Sequence, residues 1–472
     1  MTANEDKHFH EILQRYEQAQ KEGKSIYLEV EDFVDIAEYY HNEGKNKEAE
    51  AAAREAASLF PGALGPLTFL SRMAMLVKGD TKEAKRIASL IDDQTDLEYF
   101  YLIAEISLVE DKPKKADDFL EECYADMDEE DQKDFVIDVA TLYADYNYIN
   151  LAAKWLGRSD ETDADDYREL AGRIAFGRGK FKESEDIFKK LLDNDPFSTY
   201  YWNQLASSQF MNNNVSDSIS SSEFSIAINP NDEEAIANKA NGLFSLGNFA
   251  EASKYYERYA KLCPHDERAE IFLGASLTNA GNFEEACKHY RKAIKIAPKN
   301  SPYLSEAYRQ LAYTLSWCDH QQEALRTIEK AAKLAETKEE KSYIALFQGH
   351  IYLKLLDPDK ANICFNEAVD LADDKYEMEI QVGISLFDCG FVEPAYKLFR
   401  KIVKQYGDKT KKGYSYLALS AHELNLEKEY LESLKKACSL NPEEASKVLG
   451  EFFPKDMPST DYYDYEINKL KK

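Results

Sequence analysis

Shifted by 34 positions, the stretch from Glu233 to Asn300 falls nearly onto itself. Ala235, Leu243, Gly247, Asn248, Phe249, Glu251, Ala252, Lys254, Tyr256 and Pro264 land on Ala269, Leu277, Gly281, Asn282, Phe283, Glu285, Ala286, Lys288, Tyr290 and Pro298. Self-similarity at such a period constrains a chain more than composition does. Each period is one small supersecondary unit, and that unit buries its apolar face only against its neighbours.

With Glu233 as position 1, the residue types follow from packing two antiparallel helices closely. A small residue at position 8 faces another at position 20, where bulk would push the hairpin open. Glycine at 15 supplies the turn, and proline at 32 stops the second helix. A tyrosine or phenylalanine at 24 is expected to fill the space against the next unit. This pattern resembles the tetratricopeptide repeat, a helix-turn-helix with small residues at 8 and 20, an aromatic at 24, a small residue at 27 and proline at 32. The resemblance implies an all-α fold, an α-α superhelix built as a solenoid of about twelve helix hairpins.

The frame extends along the chain by its small columns. Column 8 reads Ala37, Arg72, Ala104, Ala140, Gly172, Ala206, Ala240, Gly274, Ala312, Gly349, Gly383 and Ala418, and column 20 reads Ala49, Ala84, Ala116, Ala152, Ser184, Ser218, Ala252, Ala286, Ala324, Ala361, Ala395 and Tyr430. Eleven of twelve are small in each, against about a fifth to a quarter from ordinary composition. Pro61, Pro196, Pro230, Pro264, Pro298 and Pro442 at position 32 test the frame independently. Repeats then begin near residues 30, 65, 97, 133, 165, 199, 233, 267, 305, 342, 376 and 411. Arg72 is the misfit of the second.

Four segments result. Residues 1–29 hold an amphipathic helix over 6–22, with Phe9, Ile12, Leu13 and Tyr16 on one face. The repeats occupy 30–442. Residues 443–453, with Ala445, Val448, Leu449, Phe452 and Phe453, form a capping helix over the last apolar face. The tyrosine-rich tail, 454–472, is expected to be mobile.

Composition enters as a set of exclusions. A chain of 472 residues exceeds one compact core, and a solenoid removes that conflict. No apolar run approaches a membrane span, and the polar amino terminus lacks the apolar segment of a secretory signal, so a cytoplasmic protein without membrane insertion is expected. The seven cysteines include no CxxC pair and read as reduced, half-buried thiols. Net charge is −28, and residues 92–169 hold 25 acidic and 7 basic residues, a net of −18. Such a field repels nucleic acid and favours a basic partner.

The resemblance also implies where a partner sits. In the family, positions 2, 5, 9, 12 and 13 of the first helices line the concave face. Carried over, the resemblance implies a peptide groove of Asn203, Ser207, Phe210, Asn238, Asn241, Phe244, Arg268, Ile271, Arg309, Tyr313 and Trp317. Amides there would bond a peptide backbone while aromatics bury its side chains. Some family members clamp an acidic chaperone tail with lysine, asparagine and arginine. Asn238 and Arg268 fit that clamp, but Asn203 stands where lysine is needed and Phe272 where arginine is, so the clamp is incomplete. Upstream the same rule presents an acidic surface of Glu98, Tyr101, Glu105, Asp134 and Asp145, suited to a basic partner.

Catalytic motifs are missing. The eight histidines are scattered, and no HExxH, GxSxG, GxGxxG or spaced Cys/His set occurs, so neither metal, cofactor nor enzyme activity is expected. The sequence points to a non-catalytic interaction scaffold that takes a protein or peptide. The alternative is a ligand-switched regulator, which would need a further domain, and too few residues precede the first repeat to build one.

Overall fold

A computed structural model describes residues 3–24, 26–407 and 411–470. The outermost residues of the expected lead-in and tail lie outside that range. The described residues form helices and turns, with no strand among them. They divide into two compact units, Met1–Pro230 and Asn231–Lys472.

In the first unit, helix Ala3–Glu22 precedes six helix pairs, from Val30–Asn42 with Asn46–Leu59 to Thr199–Met211 with Val215–Ile228. The second unit holds six more, from Glu233–Ser245 with Phe249–Leu262 to Tyr414–Glu423 with Glu427–Leu440. The fold is therefore the all-α array of helix hairpins that the repeat frame requires.

One backbone position sets where each hairpin turns. The fifteenth residue of every repeat is left-handed: Gly44, Gly79, Gly179, Gly247, Gly281 and Gly390, then Asp111, Asn147, Asn213, Asp319 and Asn425, and finally Leu356. That conformation lets the next amide reach back five residues, as Asn248 N–H does to the Leu243 carbonyl at 2.9 Å and Phe391 N–H to that of Leu386 at 2.8 Å. The last carbonyls of the first helix are thereby satisfied. Asn and Asp tolerate the conformation; Leu356, at φ 59 and 81% exposed, adopts it against its β-carbon.

Position 20 is buried as expected, with Ala49, Ala84, Ala116 and Ala152 all at 0% exposure. Position 8 has a different partner from the one expected. A β-carbon added to Gly172, Gly274, Gly349 or Gly383 would lie 2.4–2.8 Å from the ring of Phe188, Tyr290, Phe365 or Phe399, which is position 24 of the same repeat. The aromatic fills its own hairpin. Where position 8 is alanine, position 24 shrinks to Ala53, Leu120, Leu156, Ser222, Ile328 or Leu434. The two positions exchange volume to hold native packing density. Ala240 with Tyr256 is the exception: that ring tilts toward Phe272 of the next repeat, 5.6 Å between centroids, and its hydroxyl donates to Asn241 Oδ1 at 2.6 Å.

The misfit at Arg72 has a structural cause. Helix Leu64–Arg72 runs into a π-helical turn, Met73–Val77, which inserts one residue before the hairpin turns. The spacing between the close-packed positions becomes thirteen, so Ser71, not Arg72, meets Ala84; Ser71 is fully buried and its hydroxyl donates to the Ala84 carbonyl at 2.9 Å. A spacing fixed at twelve reads one residue too far.

After the last hairpin come helix Pro442–Leu449, a 3₁₀ turn at Gly450–Phe452 and a further helix, Tyr462–Leu470. The last of these lies where a mobile tail is expected. Tyr462 is buried and stacks on Phe453 with centroids 3.8 Å apart, and Ser459 Oγ donates to the Pro442 carbonyl at 2.5 Å. Tyr430, Leu434 and Cys438 share one apolar cluster with Leu449, Phe453 and Tyr462 of this segment, which covers them as a following hairpin would. That explains how column 20 tolerates a tyrosine in the last repeat.

Candidate binding surfaces

On the second unit, helix Leu304–Trp317 carries Tyr313 and Trp317 on its outward side, 43% and 52% exposed. Both belong to a line of rings. Phe283 stacks on Trp317 (5.7 Å, 11°), Tyr313 meets Trp317 edge-on (6.1 Å), and Tyr313 lies 5.9 Å from Phe347. Phe347 in turn stacks on His350 (6.1 Å, 11°), and Lys354 Nζ sits 5.1 Å from the Trp317 ring while donating to the Ser316 carbonyl at 3.1 Å. Stacking between rings and a cation over a ring face both hold these side chains in place.

Two clefts flank the rings. One of roughly 540 Å³ runs beside Leu277, Phe283, Trp317 and Cys318; the other, of roughly 300 Å³, lies among Arg309, Gln310, Tyr313, Tyr343 and Phe347. His350, stacked on Phe347, ends the line as a neutral ring. Burial, with Lys354 nearby, lowers its pKa to about 4, and Cys389 Sγ lies 3.6 Å from its Nδ1.

The polar groove candidates are largely engaged within the protein. Arg268 donates through Nε to Asp266 Oδ1 at 3.0 Å and through its terminal nitrogen to Oδ2 at 2.8 Å, on the residue that caps its own helix. Burial pushes the Asp266 carboxyl up, but the bonds from Arg268 and Tyr259 outweigh it and leave its pKa lowered. Arg309 bonds to Glu306, and Asn241 accepts from Tyr256. Asn238 is half-buried, and the half-buried Phe244 packs edge-on against Phe249 at 5.1 Å. Ile271, 6% exposed, lies in the core with Tyr290 and Leu311 and offers no surface. On the first unit Asn203 is likewise buried, at 4%, beside the half-buried Ser207 and Phe210.

The acidic candidates, all on the first unit, are also in use. Glu105 and Glu98 accept from Arg72 at 2.8 and 3.2 Å, Asp145 from Arg173, and Tyr101 donates to Asp138 at 2.7 Å; Asp134 is exposed. Much of the acidic stretch ties the third hairpin to the fourth at a regular interval. Tyr148 reaches Asp111, Lys154 reaches Asp117 and Arg158 reaches Glu121, each across 37 residues. Part of the negative charge is thus structural.

Tyr343, His350 and Lys354 were within reach of sequence reasoning. Extended one repeat further, to the unit beginning at 342, the positional rule gives Tyr343, His350 and Lys354. Phe347 falls at position 6, outside the rule, and only the packing brings it forward. Among the described residues no cluster of three or more His, Cys, Asp or Glu could hold a metal, and no helix is long and apolar enough to cross a membrane.

The sequence profile of the tetratricopeptide repeat matches residues 238–301. No curated protein sequence matches the chain. Among solved structures, the chain is similar to MamA 41-end from Desulfovibrio magneticus RS-1, at 16% identity over 36% of this chain and 94% of that one, with a TM-score of 0.34. It is also similar to the APC/C hetero-tetramer Cut9-Hcn1, at 14% identity over 94% of this chain and 98% of that one, with a TM-score of 0.37.

Proposed function

We propose that this chain, a tetratricopeptide-repeat protein, is a non-catalytic scaffold that takes an extended peptide of a partner protein along the aromatic line of its second unit. The observation that carries the reading is the run Phe283, Trp317, Tyr313 and Phe347, ordered by mutual stacking, half-open to solvent at Tyr313 and Trp317, and bordered by a cleft on each side. Rigid aromatic rings beside water-excluding pockets are the usual anchors of peptide binding. Arginine and amide groups engaged elsewhere leave apolar side chains as the main source of affinity. The partner's anchors are therefore apolar or aromatic, spaced to enter the two clefts. The cytoplasm is the proposed compartment, since the cysteines are free thiols.

Selection of peptides from a random displayed library on the full chain tests the reading. Trp317→Ala is expected to weaken the selected peptides by ten- to a hundredfold, about 1.4–3 kcal/mol. The half-exposed site should leave thermal stability nearly unchanged. Peptides that bind Trp317→Ala and Tyr313→Ala variants as well as the parent would place the groove elsewhere. A purified chain that turned over a substrate unaided would end the scaffold reading altogether.

A further inference from the structure

The first unit contains a cavity of roughly 390 Å³ that the aromatic line does not touch. It opens between helix Val30–Asn42, helix Leu64–Arg72 with its π-turn, and the start of helix Leu97–Val109. Val34, Phe69, Met73 and Leu76 form apolar walls, and Glu38, Glu98, Arg72 and His41 supply its charged and polar lining.

Two observations mark it as a built site. Thr68, among its lining residues, is 1% exposed, and its hydroxyl has no hydrogen-bond partner among the described residues. A helical threonine ordinarily bonds back to the preceding turn, and a buried polar atom left over calls for a partner. Secondly, the π-turn shapes the cavity. Its inserted residue turns Arg72 out of the close-packed column and places Leu76 and Val77, 58% and 45% exposed, on the rim. Such bulges recur at functional sites because they displace side chains that a regular helix would bury.

The charge balance selects the ligand. Arg72, which also lines the cavity, is bonded to Glu105 and Glu98 and reaches Glu38 only through space, so the carboxylates outnumber it. The pKa of Glu38 is raised, first by desolvation and then by Asp35 and Glu98, which together outweigh the opposing pull of Arg72. An anion would meet repulsion here. A purely apolar group would leave both Glu38 and Thr68 unanswered. A cation on an aliphatic stem answers the walls and the polar groups together.

We propose that this cavity receives a lysine side chain of a partner polypeptide, its methylenes against Phe69, Met73 and Leu76 and its ammonium donating to Glu38 and Thr68. The site goes beyond the aromatic groove, lies in the other unit and does not depend on it.

Ligand-observed NMR titration of the full chain tests the proposal. The probes are acetylated, amidated Gly-Lys-Gly and its Nε-acetyl-lysine, norleucine and glutamate counterparts. The lysine peptide is expected to bind at least about fivefold more tightly than any other, since a charge-assisted hydrogen bond is lost in each. Glu38→Gln, at an exposed rim position and so without consequence for folding, should weaken the lysine peptide by about tenfold. Thr68→Val should weaken it less, and Trp317→Ala should leave it unchanged. Equal binding of lysine and acetyl-lysine, an unaltered affinity in Glu38→Gln, or a loss in Trp317→Ala as large as in Glu38→Gln would each overturn the proposal.

Discussion

Between residues 34 and 98 the outward side of the first helices holds Val34, Glu38, Phe69, Arg72 and Glu98; between 309 and 354 it holds Tyr313, Trp317, Tyr343, His350 and Lys354. Both surfaces rise from the same hairpin. One is acidic and aliphatic and is shaped by a π-turn, while the other is a line of rings over regular helices. The difference shows that packing fixes positions 8, 15, 20 and 24 and leaves the outward positions open to different chemistry. In the first unit the two levels meet, since the π-turn that shifts the packed position to Ser71 also turns Arg72 outward.

The largest expected effect comes from breaking that arrangement. Arg72→Met would leave the Glu105 side chain, 13% exposed, without its cation. A loss of about 2–3 kcal/mol is expected, seen as a lower urea midpoint and faster amide exchange over residues 64–77. In the second unit the equivalent stress is steric. A β-carbon at Gly349 would lie 2.4 Å from Phe365 Cε1, so Gly349→Ala should cost about 1–3 kcal/mol. Adding Phe365→Leu, the pairing that the alanine repeats already use, should restore part of the loss, and a double-mutant cycle in urea would measure the coupling.

A pH titration sharpens the contrast further, because the aromatic line ends on a half-buried neutral histidine. His350 holds its proton only below about 4 when folded, against an ordinary 6.5. The unfolded chain therefore takes up that proton first as pH falls. The contribution is complete above about 6.5 and is lost on the way down to about 4, on the order of 2 kcal/mol after allowance for partial exposure. His350→Gln should remove that part of the slope when both proteins are unfolded by urea across the same range. The smallest effect is a gain. Leu356→Asn puts a residue that tolerates left-handed backbone at the one turn that lacks it and should add about 1 kcal/mol, read as a raised midpoint.

How much of this was legible beforehand differs by level. The start of nearly every second helix follows from the small columns and the turn residues, because those residues answer local steric demands that recur in each repeat. Arg72 misled the frame since a π-turn changes the spacing without altering composition. The tail misled it because Tyr462 gains its burial from Phe453 and from the last hairpin, contacts that local periodicity does not encode. At the aromatic line, Tyr313 and Trp317 follow from position alone, whereas Phe347 needs the packing to bring it forward.

The sequence by itself determined the repeat, the hairpin and the positions that turn outward, since each rests on a side chain's size or backbone freedom at a fixed place in a short unit. Only the tertiary structure decided which outward groups remain available. Arg268 lies against Asp266, Glu105 against Arg72 and Ile271 in the core, while Trp317 stays half-open to solvent. Whether a polar group is engaged depends on which partner folding brings within about 3 Å. That distance is set by helices packed across repeats, not by neighbours in the chain.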